Sequence, residues 1–175
     1  MLDYRKKVTQ NGRSMIEMLG VLAIVGVLSA GGIAGYSMAM QSYKTNLLME
    51  RINLVATRAR SVYKGIYTGI SAENMIKSGK LSANDFANPF GSSITLESGS
   101  DGTYFFLKTA VTDRNLPAET CVDLLTAYWG DSGVFDGVSD STTYFAYGNG
   151  KYPVSPSDAI TACNGGNKFL SFHFR

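Results

Sequence analysis

Residues 11–40 read NGRSMIEMLGVLAIVGVLSAGGIAGYSMAM, an apolar run with one acid, Glu17, near its start. From Met18 to Tyr43 there is no charged residue, and these 26 positions exceed the roughly 20 that a helix needs to cross the hydrocarbon of a bilayer. The run therefore reads as a helix that enters a membrane. A cleaved secretory signal has a similar outline, but its apolar core spans only about 7 to 15 residues. Here the run is longer, and its best small-residue exit, Ala30-Gly31-Gly32, falls in its middle. A plain anchor explains the length and the apolarity but not Glu17, since an ionised carboxylate in a membrane segment is costly and usually has a partner or a task.

Working outward, the preceding residues MLDYRKKVTQNG are short and basic. Arg5, Lys6 and Lys7 against Asp3 give them a charge of +2, equal to that of the whole chain, so the remainder is neutral. A neutral body without a basic cluster offers no footprint for nucleic acid, and no nucleic-acid partner is expected. Positive residues do not orient the segment: Arg5, Lys6, Lys7 and Arg13 before it are matched by Lys44, Arg51, Arg58 and Arg60 after it. The cysteines do. Cys121 and Cys163 lie far apart, outside any Cys-x-x-Cys spacing, so a single structural disulfide is expected rather than zinc or redox chemistry. That places the C-terminal part in an oxidising compartment and the N-terminus in the cytoplasm.

After Tyr43 the pattern becomes amphipathic. Leu48, Ile52, Val55, Ala59, Val62 and Ile66 step by four and three, a one-face helical stripe, with Lys44, Arg51, Arg58, Arg60 and Lys64 largely off it. The helix is thus expected to continue beyond the membrane, for about 75 Å in all, with the stripe packed in a core and the basic residues solvated. Gly31 and Gly35 have the Gly-x-x-x-Gly spacing that lets helices approach closely in a membrane. Glycine is also commoner in membrane helices generally, and both readings stand.

Gly65 and Gly69 are expected to close this helix, and Ser71 to cap a short one from Ala72 to Ser78, ending at Gly79. Asn88-Pro89-Phe90-Gly91 predicts a turn, Ile94 to Glu97 a strand, Ser98 to Gly102 a turn, and Tyr104 to Val111 a second strand, making a hairpin. Pro117 suits the first turn of a helix running to about Tyr128, with Cys121, Leu124, Leu125 and Tyr128 on one face. Thr142 to Tyr147 predicts a strand broken at Gly148-Asn149-Gly150. Leu170, Phe172 and Phe174, alternating with Ser171, His173 and Arg175, predict a half-buried strand with His173 on its exposed face. A Cys121–Cys163 bridge closes a loop of roughly 40 residues, worth about 4 kcal/mol if it acts through chain entropy.

Catalytic signatures are missing. There is no Gly-x-Ser-x-Gly, His-Glu-x-x-His, Walker loop or dinucleotide fingerprint, and Asp113, Glu119 and Asp123 read as solvated acids. No cofactor or metal is expected, and the chain does not read as an enzyme. Asp131, Asp136 and Asp140 lie in a glycine-rich stretch whose oxygens suit calcium, without EF-hand spacing.

Gly12, then four residues, Glu17 and the long apolar helix resemble the precursor N-terminus of type IV pilins and their pseudopilin relatives. The resemblance implies that prepilin peptidase cuts between Gly12 and Arg13, leaving 163 residues with Glu17 fifth. The family's first mature residue is usually apolar, whereas Arg13 stands here, which bears on methylation of the new terminus. The absence of proline in Gly31-Gly32-Ile33-Ala34, the Asn88-Pro89-Phe90-Gly91 turn and the Leu116-Pro117 to Cys121 stretch are similar to the type IVb branch. The implied fold is α+β: a long N-terminal helix packed on an antiparallel sheet head with a C-terminal disulfide. The implied division is a leader at 1–12, a membrane and filament-core helix at 13–43, its amphipathic continuation at 44–68 and a globular head at 69–175. The implied function is a pilus subunit, held in the bacterial inner membrane as a precursor, passed to the inner-membrane assembly machinery, and polymerised with identical copies into an extracellular filament for adhesion, aggregation or motility. A pseudopilin of type II secretion or DNA uptake, and a membrane-anchored periplasmic binding domain that never polymerises, are the alternatives. In a filament core a lone buried Glu17 is unfavourable, and the α-amine of Arg13 on a neighbouring copy would supply the opposite charge.

Overall fold

The computed structural model describes residues 15–109, 116–140, 143–164 and 169–175. The chain divides into two units, Met1–Met40 and Gln41–Arg175, and helix α1 (Met15–Tyr63) begins in the first and ends in the second. In the first unit every described residue from Met15 to Ala39 is exposed. The apolar side chains there are left uncovered by the described residues, and α1 is long and apolar enough to cross a membrane.

In the second unit α1 buries Thr45, Leu48, Ile52, Val55, Ala56 and Ala59, the helical spacing of a core-facing stripe. Two members of the predicted stripe do not follow it: Val62 is 37% and Ile66 72% exposed. For Ile66 the reason is that α1 stops at Tyr63, where Lys64 (φ 50°) and Gly65 (φ 93°) turn left-handed, so the count of four from Val62 leaves the helix. Tyr67 takes the core position instead, its N–H donating to the Gly102 carbonyl at 2.7 Å and its ring 4.6 Å from that of Phe105.

Helix α2 (Ala72–Lys77) is capped as expected, the Ser71 side chain accepting from the Asn74 N–H. Strands β1 (Ala87–Asn88) and β2 (Ser92–Ser93) pair across the predicted turn, which closes with Gly91 N–H donating to the Asn88 carbonyl and Gly91 at φ 100°, a value glycine tolerates best. The main sheet comprises β3 (Thr95–Ser98), β4 (Phe105–Lys108), β5 (Phe135–Ser139), β6 (Tyr144–Ala146) and β7 (Ser171–Phe174). Its order is β3-β4-β7-β5-β6, and every pairing is antiparallel. The predicted hairpin is present with β3 shifted one residue along and β4 ending at Lys108; Val111 and Thr142 lie outside the described residues.

The last strand in sequence is the central one in space. Register sets Phe105 and Phe135 opposite Phe174, and Leu107 and Val138 opposite Phe172. One inner face thus carries Leu96, Phe105, Leu107, Phe135, Val138, Phe172 and Phe174, which join the α1 stripe in a single buried cluster. Helix α3 (Ala118–Thr126) follows Pro117, and Tyr128, predicted on its inner face, lies past its end and is 66% exposed. Trp129 fills that place: its indole N–H donates to the Leu124 carbonyl at 2.9 Å, and its ring lies 4.7 Å from Phe172. Strand β5 and helix α4 (Pro156–Cys163) were not predicted from the sequence.

Candidate functional site

Of the residues singled out near the N-terminus, Gly12 and Arg13 lie outside the described residues. Glu17 occupies the first turn of α1, where a carboxylate is favoured by the helix dipole, and it is exposed. Gly31 and Gly35 lie one turn apart in the same exposed stretch, and nothing comes within 4 Å of a Cβ built at either. Their bare backbone is open to another helix. The first unit therefore presents three things together: an apolar helix face, small residues spaced one turn apart and an acid at its start.

In the second unit Cys121 and Cys163 are bonded, with their Cα atoms 5.9 Å apart, a separation disulfide geometry permits. The bond ties α3 to α4. Helix α3 is in turn tied to α1: the buried hydroxyls of Thr45 and Thr120 hydrogen-bond at 2.9 Å, and Gln41 Nε2 donates to Glu119 Oε2 at 2.9 Å. Beside these bonds a cleft of about 390 Å³ opens, lined by Ser42, Thr45, Asn46 and Met49 of α1 and by Asp123, Thr126 and Ala127 of α3. Sequence reading had passed over it, because its two walls lie about 75 residues apart. The one signal was Thr45, a polar residue three before Leu48 on the buried stripe.

His173 is not on an open face as predicted. As part of the central strand it is flanked by Phe106 on β4, and its ring lies 5.7 Å from Phe106, 4.9 Å from Tyr144 and 6.3 Å from Tyr104. Burial under these rings is the main cause that lowers its pKa from the ordinary 6.5; Asp136 opposes the shift and Lys108 adds to it. Around it Lys108 pairs with Glu97, and Arg175 with Asp136, both at 2.9 Å. Tyr144 donates to Asp136 at 3.0 Å, so both carboxylates of this face are engaged.

The three aspartates that suited calcium do not converge. Asp131 accepts from the Tyr128 hydroxyl, Asp136 is held by Arg175 and Tyr144, and Asp140 accepts from the Thr143 N–H. Among the described residues no group of three or more His, Cys, Asp or Glu side chains is arranged to hold a metal ion.

The sequence model of the family described as Bundlin matches residues 38–169 of the chain. The chain is also similar to the toxin coregulated pilin of Vibrio cholerae serotype O1, with 26% identity over 170 residues covering 91% of this chain and 75% of that one. It is similar to the major structural subunit of bundle-forming pilus of Escherichia coli O111:H- and of Escherichia coli O127:H6, with 25% identity over 171 residues and 88% of both chains covered in each case.

Proposed function

Because the chain belongs to the Bundlin family of type IVb pilins, we propose that it is the structural subunit of a type IV pilus, polymerising with identical copies into an extracellular filament. The observation that carries this reading is the first unit, where the apolar side chains from Met15 to Ala39 are exposed. Apolar area on this scale needs a cover. The bilayer supplies it for the precursor and the helices of neighbouring subunits supply it in the filament.

The remaining roles follow from that exchange of surroundings. Prepilin peptidase removes residues 1–12 at the Gly12–Arg13 bond while the N-terminus is cytoplasmic and the second unit periplasmic, and the inner-membrane assembly machinery then extracts the subunit. On moving from the membrane edge to a filament core, Glu17 loses water and requires an opposite charge. The new α-amine of Arg13 on a neighbouring subunit provides it, and the pair selects one register because a slip strands both charges in a low dielectric. Gly31 and Gly35 let the helices approach there.

Glu17→Ala tests the reading. Export, folding and the Cys121–Cys163 bond are expected to be unchanged, while filaments in sheared preparations, counted by electron microscopy and normalised to membrane-bound protein, fall at least tenfold. Normal filaments from the variant would refute the charge register. Wild-type cells without filaments would refute polymerisation, and a mature N-terminus elsewhere than Arg13 by mass spectrometry would refute the pilin processing.

A further inference from the structure

Two stretches of the second unit differ in the sign of their charge. Over residues 41–64, Lys44, Arg51, Arg58, Arg60 and Lys64 stand against only Glu50, a balance of +4, whereas residues 116–164 carry six acids against Lys151, a balance of −5. The cleft between α1 and α3 has the exposed carboxylate of Asp123 at its rim, as its one charged lining residue, and Met49 and Ala127 as apolar wall. No cation lies within salt-bridge distance of Asp123 among the described residues. In the last turn and a half of α1 the opposite situation holds. Arg58, Ser61 and Val62 form an exposed ridge at i, i+3 and i+4, in which Val62 is an apolar side chain that the core leaves out.

We propose that the cleft is the seat for this ridge on a second copy of the chain, Arg58 of one subunit entering beside Asp123 of the next and Val62 packing on Met49 and Ala127. Charge complementarity selects the occupant: the ridge offers a planar cation suited to a single carboxylate and an apolar side chain for the cleft wall. The geometry also says what the contact builds. The cleft lies beside residues 42–49 of α1 and the ridge at residues 58–62, so parallel copies dock when one is displaced by about 20 Å along the helix. Cleft and ridge are different surfaces, which makes the contact head-to-tail, and such a contact propagates as an open filament instead of closing as a dimer.

This inference rests on the homopolymer reading and refines it. The test is a double variant, Asp123→Cys with Arg58→Cys, exposed to a short bifunctional maleimide in intact sheared filaments. A ladder of covalent oligomers is expected from the double variant and not from either single variant. Charge exchange supplies the second arm: Asp123→Arg lowers filament yield at least tenfold, and adding Arg58→Asp restores it to within about twofold of wild type. Normal filaments from Asp123→Arg, no rescue by the exchange, or double-variant filaments that give no ladder would overturn the docking and leave the pilus subunit intact. Wild-type cells without filaments would overturn the pilus reading instead.

Discussion

Leu22 and Leu48 lie on one helix and have opposite fates: Leu22 is 64% exposed and Leu48 fully buried. The difference is not in the residue or in the helix, but in what the rest of the chain supplies. Around Leu48 the sheet contributes Phe105, Phe172 and Phe174, and the cluster closes without help. Around Leu22 the described residues contribute no cover, so the stability of the first unit's apolar surface has to come from outside. The comparison separates a self-sufficient unit from one that needs a membrane or neighbouring copies.

The sharpest way to break this contrast is to weaken the self-sufficient half. Replacing Cys121 and Cys163 together by serine frees a closure of 42 residues, and a loss of about 4 kcal/mol is expected in the chain-entropy account. Denaturant unfolding of the full chain in detergent, followed by the fluorescence of its single tryptophan, Trp129, measures it. Membrane insertion of the first unit should be unaffected. A loss of insertion along with the bond would show that the units are not energetically separate.

A smaller effect divides the helix itself. Leu48→Ala removes side-chain volume from a closed core and should cost about 3 kcal/mol, read in the same unfolding curves. Leu22→Ala leaves no cavity inside the chain and should move those curves by less than about 0.5 kcal/mol. Equal effects would mean that Leu22 has an intramolecular partner.

The smallest expected effect is a pH slope confined to the second unit. His173 is held below its ordinary pKa of 6.5, chiefly by burial, so the unfolded chain takes up the proton more readily than the folded one. The stability linked to the neutral ring is complete above the unfolded value and is lost as pH falls below it toward the folded value. Unfolding midpoints should therefore decline between pH 7 and pH 5, and His173→Gln should decline less steeply. Parallel slopes for the two proteins would remove His173 as the cause.

Local chemistry made much of this legible. The helix through the uncharged run from Met18 to Tyr43, the Ser71 cap, the Asn88-Pro89-Phe90-Gly91 turn and the first four members of the stripe, Leu48, Ile52, Val55 and Ala59, each carry their reason within a few residues, and each is present as read. Readings failed where the deciding partner lies far along the chain. Tyr128 looked like an inner-face residue by spacing, but Trp129 takes that place because Tyr152, over twenty residues on, accepts from its backbone N–H and donates to the Ala127 carbonyl. Strand β5 gave a weak signal because Gly137 interrupts its alternation, and that position faces the Ala146 backbone so closely that a Cβ would collide with it.

The sequence by itself determined that one helix is apolar beyond the needs of any core, that an acid stands at its start, and that two cysteines are available to pair, since these depend on composition and helical period alone. Only the tertiary structure decided that the last strand lies at the centre of the sheet, that His173 is roofed by aromatic rings, and that α1 and α3 leave a cleft between them. Those outcomes depend on sheet order and on contacts between residues tens of positions apart. No local periodicity encodes them, because the free energy that selects them is gained only when distant segments close on the same core.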